Sequence, residues 1–242
     1  MQTCVTDRAT TFPGRRPIFY YITDRRQLPD PSPTALLLQI RRAISWGVDF
    51  VQLREKDLPD RALFDLATRA VRLARGTPCR IIVNGRSDIA FASGAHGVHL
   101  PSTGLPAADL VPHLPKRFLL GVSTHSLPEA RRAAASGADY LLLGPVFPTA
   151  SKIGLGAPVG LQRLRRICSA LPVPILGLGG IGPSAIAGIL GAGAAGVAGI
   201  RLFQRELDSF TRADYRFPAR TGGKPAVAAS ARFRGAPLRR RM

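Results

Sequence analysis

The strongest constraint on this chain is a junction that recurs along it. Four times a helix-like segment runs out at a glycine, and the chain turns directly into a strand-like run: Gly47-Val48-Asp49, Gly94-Ala95-His96-Gly97, Gly137-Ala138-Asp139 and Gly193-Ala194-Ala195-Gly196. Glycine just past a helix supplies the left-handed backbone that ends it, so each junction marks the register of a repeating unit. Between junctions the hydrophobic period alternates. Ile18–Asp24 reads as a buried strand, Thr34–Trp46 as a helix with Leu37, Ile40 and Ile44 on one face, and Val48–Lys56 as a strand again. The pattern continues with a helix over Pro59–Gly76, a strand over Cys79–Asn84, a short helix over 86–93 and a strand over 96–100. It goes on with a helix over 106–113, a strand over Phe118–Ser123 and a helix over Ser126–Ser136, followed by a strand over Ala138–Gly144 and a helix over Gly160–Ala170. A strand over Val173–Gly177, a helix over Ser184–Leu190, a strand over Ala194–Ile200 and a closing helix over Leu202–Phe210 complete it. Eight strands alternating with helices, with the buried look of runs such as IIV, LLLG and PILG, predict an α/β fold: one compact (β/α)8 TIM barrel over residues 17–210. A doubly wound open sheet is the alternative.

The formal charge of +19 over 242 residues suggests nucleic acid at first sight. Its distribution argues otherwise. Residues 211–242 hold nine basic residues against Asp214 alone, and residues 1–16 hold three against Asp7, so the barrel segment keeps +9 spread over its helices. The two ends read as a flexible leader, 1–16, and a basic disordered tail, 211–242, rich in Arg, Gly, Pro and Ala. With 7% aromatic residues, no zinc-finger spacing and no paired-aromatic RNA motif, specific nucleic-acid recognition is not expected. Cys4, Cys79 and Cys168 are too widely spaced for a disulfide framework or a metal knuckle, which points to a reducing cytoplasm. No apolar run approaches the roughly 18 residues of a membrane span, and the N-terminus does not read as a signal peptide. A homo-oligomer is left open.

In such a barrel, reactive groups stand at the C-terminal strand ends. Gln52, Arg54 and Lys56 alternate there and would share a direction, offering an amide and two cations to an anionic or heteroaromatic ligand. A salt-bridged Arg54-Glu55-Lys56 strand end is the plainer reading. Asn84 and Arg86 follow the third strand, with Asp88 suited to capping the next helix. His96 and His99 lie on opposite faces of the fourth strand and form no metal pair, and a lone strand histidine is often simply packed. Ser123 is a hydrogen-bond donor at the end of the fifth strand. His125 is suited either to proton transfer near neutral pH or to bonding at a helix start. No serine-triad partner stands nearby, which argues against hydrolase chemistry. Thr149, Ser151 and Lys152 lie on a long loop able to hold a leaving diphosphate. The GLGGIG run, Gly177–Gly182, opens a helix after the seventh strand, where barrels commonly seat phosphate.

The segments YYITD, VQLREKD, VNGRSD, GAHGVHL, GVSTHS, GADYLLLGPVFPTASK and GLGGI, in that order at strand ends, resemble the thiamine phosphate synthase family and its thiazole tautomerase relatives over roughly Ile18–Glu206. The resemblance implies joining of hydroxymethylpyrimidine diphosphate to a thiazole phosphate with release of diphosphate. It implies that Gln52, Arg54, Lys56 and Asn84 contact the pyrimidine diphosphate, that Ser123 bonds near the reacting pyrimidine, and that Lys152 binds diphosphate with Thr149. It also implies that the Gly179-Gly180 backbone receives the thiazole phosphate. His125 matches a histidine that the tautomerases use for proton transfer, although synthases often carry one there too.

Two departures bear on the metal. The family's two Mg2+-binding aspartates fall at Gly85 and Gly104, so no residue is assigned as a metal ligand, and any Mg2+ would be carried in by the diphosphate. The family's serine near the start of the last helix is Arg201, a further candidate phosphate contact. The expected function is thus a synthase-type transferase acting on phosphorylated pyrimidine and thiazole, with a thiazole tautomerase-like isomerase and a noncatalytic phosphate-binding barrel as the alternatives.

Overall fold

The computed structural model describes residues 16–149 and 157–217, so the expected leader up to residue 15 and tail beyond 217 lie outside the described residues. Strands β1 Ile18–Ile22, β2 Phe50–Leu53, β3 Arg80–Asn84, β4 Gly97–Leu100, β5 Leu119–Thr124, β6 Tyr140–Leu143, β7 Ile175–Leu178 and β8 Gly196–Gly199 pair in sequence order. Every pairing is parallel, and β8 closes on β1 through Phe19 opposite Val197 and Tyr20 opposite Ala198. The helices that cover the barrel are α1 Pro33–Trp46, α2 Asp60–Ala74, α3 Ser87–Ala92, α4 Ala107–Leu110, α5 Leu127–Ala135, α6 Gly160–Ala170, α7 Pro183–Gly191 and α8 Arg201–Gln204. The closed barrel excludes the open doubly wound sheet. No helix among the described residues is long and apolar enough to cross a membrane.

The glycine junctions do more than turn the chain. Gly47, Gly94, Gly137 and Gly193 all have positive φ, between +71° and +103°, which glycine adopts without steric cost. Two residues on, the backbone N–H of Asp49, His96, Asp139 and Ala195 donates to the carbonyl of Phe19, Ile81, Leu120 and Ile175 respectively, at 2.8–2.9 Å. In the first three the side chain returns the bond. Asp49 Oδ2 accepts from Phe19 N at 2.9 Å, His96 Nδ1 from Ile81 N at 3.0 Å and Asp139 Oδ2 from Leu120 N at 2.7 Å. Each reciprocal pair pins an even strand to the odd strand before it and satisfies a backbone donor that burial would otherwise strand. Ala195 has no side-chain acceptor and makes only the backbone half.

The barrel interior is filled. Ile18, Tyr20, Ile22, Phe50, Ile82, Leu119, Tyr140, Leu142, Leu176 and Ala198 form one inner cluster, with the Tyr20 and Tyr140 hydroxyls bonded at 2.8 Å. Gly121 makes room for Tyr140, since a Cβ there would fall 2.1 Å from the Tyr140 Cζ. A packed interior leaves the rims as the place for chemistry.

Three expectations are corrected at element ends. β2 stops at Leu53 and does not run to Lys56, because the Arg54 N–H leaves the strand ladder for the Thr23 hydroxyl at 3.0 Å. The closing helix is only α8, ending at Gln204. The residues after it instead run on between α1 and α7: Trp46 donates its indole N–H to the Phe210 carbonyl at 3.2 Å, and the Tyr215 hydroxyl donates to the Pro183 carbonyl at 2.9 Å. The tail therefore does not begin at 211. Residues 211–217 are packed on the barrel: the Arg212 guanidinium bonds Asp49 at 2.8 Å and the Pro17 carbonyl at 2.9 Å and sits 5.2 Å from the Phe19 ring centroid.

Candidate active site

Four polar side chains from neighbouring strands form a layer at the C-terminal rim. Gln52 Nε2 donates to Asn84 Oδ1 at 2.9 Å, joining β2 to β3, and His99 Nε2 bonds the Ser123 hydroxyl at 2.8 Å, joining β4 to β5. Asn84 and His99 stand opposite each other in register, which makes the two pairs neighbours. Gln52 and His99 are each 1% exposed, and their remaining polar atoms, Gln52 Oε1 and His99 Nδ1, have no partner among the described residues. A buried polar atom left unpaired costs free energy, so both atoms favour a ligand or water that completes them. Burial, reinforced by the nearby Arg54 charge, lowers the His99 pKa to about 3, so the ring is neutral at physiological pH. Sequence reasoning set His99 aside as a packed histidine. The signal that would have found it is the two-residue alternation that also turns Gln52 and Asn84 inward.

The cations around this layer divide sharply. Arg25 is consumed by carboxylates, bonding Asp57 through both terminal nitrogens at 2.7 and 2.8 Å and Glu55 at 3.2 Å. Arg25 in turn holds the Asp57 carboxyl down at about 2. Arg86 is likewise held by Asp88 at 2.6 and 2.9 Å and by Asp60. The plainer reading of the β2 end, a salt bridge centred on Glu55, is therefore half right: Glu55 is paired, but with Arg25 and with the Thr23 hydroxyl at 2.6 Å. Arg54 is left half-buried beside His99, its guanidinium without a hydrogen-bond or ion-pair partner among the described residues. Lys56 is exposed, three residues beyond the end of β2.

His125 lies just past β5 with its ring bridging two neighbours: Nδ1 meets the Gly144 carbonyl at 2.5 Å and Nε2 meets the Ser102 hydroxyl at 3.3 Å. Its backbone N–H is taken by Glu129 at 2.8 Å, so the histidine stands at both the helix start and the rim. Gly179 and Gly180 have φ of +96° and +66°, and a Cβ on Gly180 would come 2.5 Å from the Pro148 carbonyl oxygen. The turn after β7 can therefore be built only from glycine, and it packs directly under the loop that leaves β6. Arg201 is exposed at the first position of α8. Thr149 is half-buried at the end of the described part of the β6 loop, and Lys152 lies outside the described residues.

The donor set does not suit a protein-held Mg2+, which favours carboxylate oxygens. Gly85 and Gly104 flank one proline: a Cβ on Gly85 would lie 3.9 Å from Pro101 Cδ, and a Cβ on Gly104 3.0 Å from it. The carboxylates near this corner are engaged elsewhere, Asp60 and Asp88 by Arg86, Glu55 and Asp57 by Arg25, and Asp24 by Gln27 at 2.8 Å.

A closed (β/α)8 barrel with a buried polar layer, an unpaired arginine and a glycine-built turn at its C-terminal rim has the architecture of barrels that take small phosphorylated ligands at that face. Comparison with known proteins narrows the class. Residues 19–203 match the family described as thiamine monophosphate synthase, and the chain belongs to that family. It is 44% identical over 162 residues to a putative thiamine-phosphate synthase of Geobacter sulfurreducens, covering 67% of this chain and 75% of that one. It is 42% identical over 169 residues to the thiamine-phosphate synthase of Moorella thermoacetica, covering 70% and 80%. Among solved structures, thiamine phosphate pyrophosphorylase from Pyrococcus furiosus superposes with a TM-score of 0.68 at 29% identity, over 79% of this chain and 95% of that one.

Proposed function

We propose that the chain is a transferase of the thiamine-phosphate synthase type, joining hydroxymethylpyrimidine diphosphate to a thiazole phosphate. The observation that carries this reading is the uncompensated Arg54 guanidinium beside the His99–Ser123 and Gln52–Asn84 pairs. In the reaction a C–N bond forms between the thiazole nitrogen and the pyrimidine methylene carbon as the C–O bond to diphosphate breaks, and the electron pair leaves on the diphosphate oxygen. Gln52 and Asn84 would hold the pyrimidine, with Gln52 Oε1 taking a ring amino hydrogen. Ser123, held by a neutral His99, would bond near the reacting carbon. Arg54, with Lys56, Lys152 and Thr149, would offset the charge that develops on the leaving diphosphate, while the Gly179-Gly180 turn and Arg201 would hold the thiazole phosphate. Any Mg2+ would come with the diphosphate. The partners would be small phosphorylated molecules.

His125 at the rim, in a chain lacking both family metal aspartates, favours one second reading: isomerisation of the thiazole phosphate by proton transfer at His125. Purified protein supplied with both synthase substrates separates the two. The transferase reading predicts thiamine phosphate well above an Arg54→Gln and a Lys152→Ala control. No thiamine phosphate, with interconversion of thiazole phosphate isomers that His125→Ala abolishes, would replace it with the isomerase.

A further inference from the structure

We infer that this barrel binds the diphosphate of its ligand without a protein-bound divalent cation, the Arg54 guanidinium supplying the positive charge that a metal would bring. The inference rests on the transferase reading for the identity of its ligand and goes beyond it in assigning how the charge is met.

The argument has three parts. First, the corner where a carboxylate-held ion would sit lacks its carboxylates: Gly85 and Gly104, on either side of Pro101, bring no side-chain oxygen to it. Second, the acidic residues nearby are not in reserve. Releasing Asp88 or Asp60 would strip Arg86, and releasing Glu55 would leave a buried carboxylate without Arg25 and Thr23. Breaking such a buried pair is far costlier than breaking a surface one. Third, the rim already carries an unmatched cation. Arg25 and Arg86 each face carboxylates, whereas Arg54 faces a histidine whose protonation it opposes. Gln52, Asn84, His99 and Ser123 are all neutral there, so nothing in the polar layer quenches the Arg54 charge. A planar guanidinium presents its donors in a fork that matches two phosphate oxygens and, unlike Mg2+, needs no carboxylate to hold it in place.

Calorimetric titration of the full chain with inorganic pyrophosphate, once in EDTA and once with Mg2+, tests this. The two affinities are expected to agree within about threefold, and Arg54→Gln to weaken both by about tenfold or more. Gly85→Asp supplies a gain-of-function arm. Aspartate is among the few side chains that visit a left-handed backbone such as the +70° φ here, at some strain, and its Cβ would meet nothing closer than Pro101 Cδ at 3.9 Å. It is expected to weaken metal-free binding by roughly tenfold through like-charge repulsion and to recover affinity when Mg2+ is added. Pyrophosphate binding by the unaltered chain only with Mg2+, or no binding in either buffer, overturns the inference. Its fate is separable from that of the transferase reading: Mg2+-dependent binding with thiamine phosphate still formed removes the inference alone, and metal-independent binding without thiamine phosphate removes the transferase reading alone.

Discussion

His99 shows how one buried side chain ties stability to the site. Because its folded pKa, about 3, lies far below the ordinary histidine value of 6.5, the unfolded chain binds its proton first as pH falls. The neutral ring's contribution is complete above pH 6.5 and is lost as pH drops toward 3. From pH 7 to pH 5 this costs about 2 kcal/mol of unfolding free energy. Urea melts at the two pH values should show that loss, and His99→Gln, which cannot be protonated, should flatten the profile by the same amount. An unchanged pH profile in the variant would mean that His99 is not the buried neutral group. At this scale the sequence was legible where chemistry and period coincided. Gln52 could be placed from alternation, and Asn84 and Ser123 from where the third and fifth strands end. What could not be read was which charges cancel. Arg25, thirty residues from Glu55, takes the partner that Arg54 has beside it in the chain, and only the closed fold brings Arg25 there.

At the scale of elements, the four junctions carry both the register and a prediction. Their glycines were legible because a helix end that turns straight into a strand calls for positive φ. The return bonds from Asp49, His96 and Asp139 were not, because they cross to a preceding strand. Asp49→Ala removes the acceptor for Phe19 N and the carboxylate that faces Arg212, and is expected to cost about 3–5 kcal/mol. Asp49→Asn keeps an acceptor oxygen and should cost visibly less in chemical denaturation. Equal costs would show that charge, not the pin, matters. Gly121→Ala should cost at least about 2 kcal/mol, since its Cβ would overlap the Tyr140 ring. The β2 end was overextended for a reason of the same kind: hydrophobic pattern alone cannot reveal that Thr23 captures the Arg54 N–H.

Across the whole molecule, eight βα units were legible because each repeats one period, whereas the final segment breaks it and could be read only from three-dimensional contacts. After the short α8, residues 205–217 fill the wall between α7 and α1, clasped by Arg212 at the β1–β2 rim. Arg212→Ala should therefore lower stability by about 2–4 kcal/mol and expose residues 205–217 to faster amide exchange. Exchange unchanged there would contradict the clasp. Nor does all the barrel's surplus charge face the mouth: Arg41, Arg69 and Arg72 line a separate cavity of about 360 Å3 between α1 and α2. The charge the transferase reading draws on is narrower, chiefly Arg54, which has no ion-pair partner among the described residues and lies beside a neutral polar layer. Phosphorus NMR of the full chain with hydroxymethylpyrimidine diphosphate and thiazole phosphate tests that account most directly, because it follows both substrates at once. The account predicts loss of the diphosphate ester resonances matched one for one by free diphosphate and thiamine phosphate. Diphosphate ester left intact while the protein stays folded would contradict it.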